Sequence, residues 1–299
     1  MRKTTEFFAG CECLRLETNA LTLWAARSAG PRIVGLAPQG GENLFAVLPG
    51  EGIDYPGGGR FVFYGGHRLW YAPEDPWRTY IPDNDPVEVV ELERGVRLVQ
   101  PVEKQTGIQK SITVRLGEWD ARVEVEHALT NLGTEPVELA PWAITQMRPG
   151  GVAILPQPTD PADPYGVLPN RQIALWPYTR VNSPHIRWGD RFIFVQATMA
   201  EGALKVGFPN PVGWIAYVWG DALFVKYAPY DPSAVYYDRG SSSECYCNPL
   251  FLELETLGPR VRLAPGESVT HRETWAVFTG VVFRPEEGAV EELVQNLGV

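Results

Sequence analysis

The chain has 299 residues, 44% hydrophobic and 21% charged, which places it among globular proteins and excludes a disordered or fibrous one. Its 36 acidic against 26 basic residues give a formal charge of −10, the wrong sign for a nucleic-acid or anionic-membrane partner. No run approaches the ~18 apolar residues of a membrane span, and residues 1–10 lack the form of a secretory signal, so a cytoplasmic protein is expected.

Residues 14–17, 21–25 and 32–36 read as three short strands separated by Thr-Asn and Ser-Ala-Gly-Pro turns. Residues 86–92 and 96–99 form a hairpin around 93–95. Strands at 109–116 and 122–129 follow, then a turn at 131–136 and a strand reaching Met147. The second half continues in the same style at 192–196, 204–207, 214–218, 222–226, 250–254 and 268–278. Only 285–297 has helical spacing, with Val290, Leu293, Val294 and Leu297 as its apolar stripe. The 30 Gly and 27 Pro leave little room for long helices, and the proline-rich stretches 48–59, 149–169 and 227–232 read as long loops. Strands at such short intervals predict an all-β fold, and with no break in composition, residues 1–299 read as one large antiparallel β-sandwich domain.

The cysteines form two Cys-x-Cys pairs, Cys11/Cys13 and Cys245/Cys247. Their spacing is not that of the common zinc modules and the expected compartment is reducing, so neither metal nor disulfide is expected. No cofactor is indicated. Polar residues concentrate in three places. Residues 64–74 combine two glycines with His67, Arg68, Trp70 and Glu74, a proton carrier, a forked donor, an aromatic platform and a carboxylate. On the strand at 251–257, alternation puts Glu253 and Glu255 on one face. Lys226, Asp238 and Asn248 belong to a third group. His127, His185 and His271 have no convergent neighbours in sequence and read as structural.

The opening Leu14-x-Leu16, Leu21-x-Leu23, Gly30-Pro31-Arg32-Ile33 and Gly41-Glu42-Asn43-Leu44-Phe45 resembles the start of galactose-mutarotase-like (aldose 1-epimerase-like) proteins. So does the late Leu254-Glu255-Thr256 with Leu263-Ala264-Pro265-Gly266-Glu267. The Gly-Gly-His-Arg-Leu-Trp run resembles a bacterial branch of that superfamily known as a domain of unknown function. The resemblance implies a supersandwich with a sugar cleft on its concave face. It also implies a glutamate base and a histidine acid that open the sugar ring for anomer exchange. By position the base falls on Glu255, with Glu253 close behind. Trp142, however, stands where the family has its acid histidine, and the nearest counterpart of the family's other histidine is His67.

Such a cleft would stack a pyranose on Trp70 and Trp142 and bond its hydroxyls through Arg68, Gln146, Lys226, Asp238 and Asn248. Three functions fit a small-molecule sugar partner. One is an epimerase or mutarotase with His67 as relocated acid; one is a non-catalytic carbohydrate-binding protein. The third is a glycoside-cleaving enzyme pairing Glu74 with Glu253 or Glu255. His67 facing the glutamates would favour catalysis; His67 buried against the sheet would favour binding. The oligomeric state is left open.

Overall fold

In the computed structural model, which describes residues 1–299, the strands form two antiparallel sheets of 12 and 10 strands. The larger runs from Arg2–Phe8 through Cys11–Glu17, Leu21–Ala26, Arg32–Pro38, Arg60–Ala72 and Val137–Met147 to Leu252–Leu257, Ser243–Cys247, Leu204–Phe208 and Ala174–Leu175. The smaller is centred on Trp214–Trp219, Ala222–Tyr227, Ser268–Phe278 and Arg122–Asn131. Strand alternation sends one set of apolar side chains inward from each sheet, such as Leu204, Val206, Phe208, Leu252 and Leu254 from the larger and Val123, Val125, Phe224 and Trp275 from the smaller. They meet in one core of 43 buried residues. No helix is long and apolar enough to cross a membrane.

The helix expected at 285–297 is present as Glu287–Leu297. Its Val290, Leu293, Val294 and Leu297 pack with Phe192, Phe194, Trp214, Leu223 and Val225 on the outer face of the smaller sheet. Those strands are therefore apolar on both faces.

Two stretches expected to be loops contain strands, most of 48–59 and a short part of 149–169. Val47–Asp54 pairs with the first half of Arg60–Ala72, and Val152–Pro156 lies between two strands of the smaller sheet. The long strand Arg60–Ala72 runs through most of the polar stretch at 64–74. Its Tyr64-Gly65-Gly66 run has φ of 54°, 92° and 69°, the left-handed region. A Cβ on Gly66 would lie 2.1 Å from the Ile33 carbonyl oxygen, so only glycine lets the neighbouring strand close there.

All four cysteines are free and buried. The strands bearing the two pairs stand six positions apart in the same sheet, roughly 29 Å at ~4.8 Å per strand, so the pairs do not meet.

Candidate functional site

The outer face of the larger sheet, turned away from the core, carries a polar and aromatic cluster on five adjacent strands. In one row Ile144 lies opposite both Arg68 and Glu255, and Glu255 lies opposite Glu244. In the next, Gln146 is opposite Glu253, Glu253 opposite Tyr246, and Tyr246 opposite Lys205. Trp142 is flanked by Trp70 and Leu257.

Arg68 Nη2 donates to Glu253 Oε1 at 2.8 Å, and Gln146 Nε2 donates to the same oxygen at 3.0 Å. The Arg68 guanidinium lies 4.2 Å from the centre of the Trp70 ring. Trp142 Nε1 donates to Glu255 Oε2 at 2.6 Å. The Lys205 ammonium bridges two carboxylates, at 2.9 Å from Glu255 Oε2 and 2.6 Å from Glu244 Oε2. It also sits between two indoles, 4.7 Å from Trp142 and 4.7 Å from Trp176. Gly207 makes room for Trp176, since a Cβ there would approach the indole to 3.1 Å. The covering segment is tied down by Thr179, whose hydroxyl accepts from Lys205 N at 2.7 Å and donates to Lys205 O at 2.9 Å.

At the rim, the half-buried Asp238 sits in a turn with φ 50°, and burial raises its carboxyl above the usual carboxylate range while Lys205 opposes the shift. Glu74 is exposed and accepts a hydrogen bond from the Tyr80 hydroxyl, whose ring packs on Trp70.

Burial dominates the electrostatics here. It pushes the Glu244 carboxyl well above the usual carboxylate range; Lys205 opposes this while Glu255 and Asp238 reinforce it. Burial raises Glu253 as well, against the pull of Arg68. It disfavours the charge on Lys205, but Glu244 and Glu255 outweigh it and hold that ammonium well above the ordinary lysine value.

Seven buried side-chain atoms on these five strands reach no hydrogen-bond partner: Arg68 Nε and Nη1, Trp70 Nε1, Gln146 Oε1, both Glu244 oxygens and Glu255 Oε1, although Glu244 Oε2 lies 2.6 Å from the Lys205 ammonium as an ion pair. Each costs on the order of 1–3 kcal/mol while unpaired. Beyond these five strands only Arg15, Gln100 and Arg32, which lies opposite Arg68 on the next strand, hold such atoms.

The structure thus brings together Glu253, Glu255, Arg68, Trp70, Trp142 and Gln146, with Asp238 and Glu74 at the rim. It separates the other three expected residues. Asn248 caps the turn between two strands, its side-chain oxygen accepting from Leu250 N at 2.8 Å and Phe251 N at 3.0 Å. His67 and Lys226 lie on the opposite side of the sheet. With Arg68 and Trp70 facing outward, alternation turns His67 into the core, and Lys226 belongs to the inner face of the smaller sheet. The expectation that these two residues line the cleft is corrected accordingly.

Both belong to a closed hydrogen-bonded ring between the sheets. His127 Nδ1 donates to the His271 carbonyl at 3.0 Å, which leaves its Nε2 as acceptor for His67 Nε2–H at 2.7 Å. His67 Nδ1 then accepts from the Thr145 hydroxyl at 2.9 Å. Lys226 donates to Thr145 Oγ1 at 3.2 Å and pairs with Glu273 Oε1 at 2.9 Å, and the Thr256 hydroxyl, facing His271 Nε2 at 2.8 Å, donates to the same carboxylate. Burial drives His67, His127 and His271 below the usual histidine range, so all three are neutral. Glu273, although burial disfavours its charge, is held below the carboxylate range chiefly by the Lys226 ammonium. The His67, His127 and Glu273 donor atoms lie within 4.8 Å of one another, the one grouping with metal-ligand chemistry, and every one of them is engaged in this ring.

Glu244, Lys205 and Trp176 were not anticipated as site residues. A signal for Lys205 exists in Leu204-Lys205-Val206-Gly207-Phe208, where three core residues at alternate positions force the lysine to the other face. Cys245 and Cys247 do the same for Glu244.

The two packed antiparallel sheets match the galactose-mutarotase-like sandwich fold of solved structures. A galactose mutarotase-like protein from Lactobacillus casei matches 89% of this chain and 100% of its own, with TM-score 0.58 at 10% identity. A galactose mutarotase-like protein from Clostridium acetobutylicum matches 93% of this chain and 99% of its own, with TM-score 0.51 at 10% identity. A TPR-domain containing protein from Parabacteroides distasonis matches 92% of this chain, which spans 48% of that protein, with TM-score 0.62 at 14% identity. No family profile and no curated protein sequence matches the chain. The likeness is one of fold.

Proposed function

We propose that the outer face of the larger sheet binds an aldose and exchanges its anomers, with Glu255 as base and Glu244 as acid. The observation that carries this reading is the set of unpaired polar atoms gathered there beside two indoles, the donors Arg68 Nε, Arg68 Nη1 and Trp70 Nε1 and the acceptors Gln146 Oε1 and Glu255 Oε1 among them. Sugar hydroxyls both donate and accept, so a pyranose stacked on an indole satisfies both kinds at once.

The chemistry follows from which oxygens are free. Glu255 Oε2 is occupied by Trp142 and Lys205, leaving Oε1 to take the proton from the sugar's O1 hydroxyl. Glu244 meets Lys205 through Oε2, leaving Oε1 to carry the proton that burial keeps on this carboxyl. As Glu255 removes the O1 proton, C1=O1 forms, the C1–O5 bond breaks and Glu244 protonates O5. Rotation about C1–C2 and reversal of the same transfers close the ring to the other anomer. Access requires the segment bearing Trp176 to lift from Gly207.

A second reading, a non-catalytic sugar-binding protein, draws support from the burial of His67, which removes the acid the resemblance pointed to. NMR exchange spectroscopy over a panel of aldoses separates the two. Accelerated exchange that falls by ~10²–10⁴ in Glu255→Gln and in Glu244→Gln supports catalysis. Binding without acceleration supports the second reading, and absence of binding across the panel sinks both.

A further inference from the structure

Residues 157–185 leave the smaller sheet after Val152–Pro156 and return to it at Ile186–Trp188. In between they cross to the far edge of the larger sheet, where Ala174 and Leu175 lie opposite Gly207 and Val206. No residue of this segment belongs to any hydrophobic cluster of the fold. Its larger apolar side chains face solvent instead, Tyr165 at 86%, Val167 at 75% and Val181 at 64% exposure. From 158 to 180 its hydrogen bonds to the rest of the chain fall at three places. Gln172 donates to the Arg239 carbonyl, Ala174–Leu175 pairs along the sheet edge, and Thr179 holds Lys205. Asn170 and Arg171 bond back to the carbonyls of Asp160 and Pro158, which ties the two arms of the segment together. A segment with so few buried contacts opens at a fraction of the free energy that unfolds the sheets.

We propose that residues 157–185 are a strap that lifts and closes as one unit over the outer face, with Lys205 as its catch. Thr179 grips the Lys205 backbone through both its N–H and its carbonyl, and the Trp176 indole covers its ammonium. Beneath, the same ammonium joins the fully buried Glu244 and Glu255. Lifting releases the three bonded places and one cation–π contact and takes no side chain out of the core. Lys205 stays behind, held by its carboxylates and by its register opposite Tyr246. As the gate of a sugar site the strap rests on the reading above; its motion needs no ligand.

The test is hydrogen exchange of the full chain without ligand, followed residue by residue by NMR at neutral pH and in low concentrations of urea. The Lys205 amide is the reporter, because it lies within the sheet but bonds to the strap. It is expected to exchange together with the Ala174–Leu175 pairing, at least ~100-fold faster than the amides of Leu252–Leu257. Its rate should hardly respond to urea, since the strap's apolar side chains are already exposed, whereas the sheet amides should respond steeply. Thr179→Val keeps the shape and removes both bonds to Lys205. It should speed exchange in the Ala174–Leu175 pairing, which it does not touch, by about 10- to 30-fold. A Lys205 amide that shares the rate and urea dependence of Leu252–Leu257 overturns the inference, because the segment then leaves only when the protein unfolds. An Ala174–Leu175 pairing unmoved by Thr179→Val overturns it as well, because the segment then does not act as one unit. The aldose panel decides the sugar site separately: a moving strap with no sugar bound leaves the motion standing, and sugar binding without the motion removes only the gate.

Discussion

Lys226 is the residue whose removal tests the interior ring most directly. Fully buried, it reaches from the smaller sheet to the larger, donating to the carbonyls of Ala143 and Leu254 at 3.0 Å each as well as pairing with Glu273. Lys226→Met keeps most of the volume but leaves Glu273 ionised among groups that satisfy it only through Trp275 and Thr256. Breaking one side of a buried pair costs about 3–5 kcal/mol, roughly a fifth or more of the stability of an ordinary domain. With a urea m-value near the upper end of the usual 1–3 kcal/mol/M, the midpoint is expected to fall by about 1–2 M. Glu273→Gln alone should cost less, because Lys226 retains three oxygen acceptors. The double variant is expected to be more stable than the sum of the singles by roughly 1–3 kcal/mol. A coupling below about 0.5 kcal/mol, or a midpoint unmoved by Lys226→Met, would falsify the account of the ring as a clamp between sheets.

The three buried histidines predict acid sensitivity. Above about pH 6.5 they are neutral in both states. As pH falls, the unfolded chain takes protons that the folded chain cannot until far lower, about 3 for His271, so stability is lost from pH 6.5 downward. Thermal melts between pH 8 and 5 should show that decline, and a flat profile to pH 5 would contradict it. Gly66→Ala should cost about 2–5 kcal/mol from left-handed strain plus the collision with Ile33, whereas Gly40→Ala, at φ 74° with open space around it, should cost about 1–2 kcal/mol in the same denaturation assay. Burial raises the pKa of all four thiols, Cys13 and Cys247 to about 12 each, so a disulfide reagent at pH 8 is expected to find no reactive thiol in the native protein and four in denaturant.

What the sequence made legible follows strand parity. Glu253 and Glu255 are two apart on a strand whose other face is leucine, and they share a face in the structure as alternation required. The Gly-Gly-His-Arg-Leu-Trp run misled for the same reason in reverse. Taken as one cluster it gathers His67, Arg68 and Trp70 at one place, but as a strand it sends His67, Leu69 and Tyr71 inward and Arg68 and Trp70 outward. Its two glycines allow a close backbone approach within a strand. Lys226 was harder to place. Its neighbours Val225 and Phe224 are both buried, one beneath the C-terminal helix and the other in the main core, so no polar face betrays the inward direction.

The two polar clusters lie on opposite sides of the same two strands, and that placement links them mechanically. Leu254, whose carbonyl Lys226 holds, sits between Glu253 and Glu255; Ala143, held likewise, sits between Trp142 and Ile144. On the Val137–Met147 strand Thr145 anchors the ring beside Gln146, which reaches Glu253 on the other face. The strands that present the outer carboxylates are therefore fixed from beneath by a charged donor in a dry interior, where such bonds are strong. A carboxyl pair must keep its spacing to within about 0.5 Å to act on one ligand, and packing alone tolerates looser arrangements. A conservative change in the ring, such as His127→Gln, should then disturb ligand affinity on the outer face without touching the ligand. Unchanged affinity in a folded His127→Gln protein would show that the two clusters are independent.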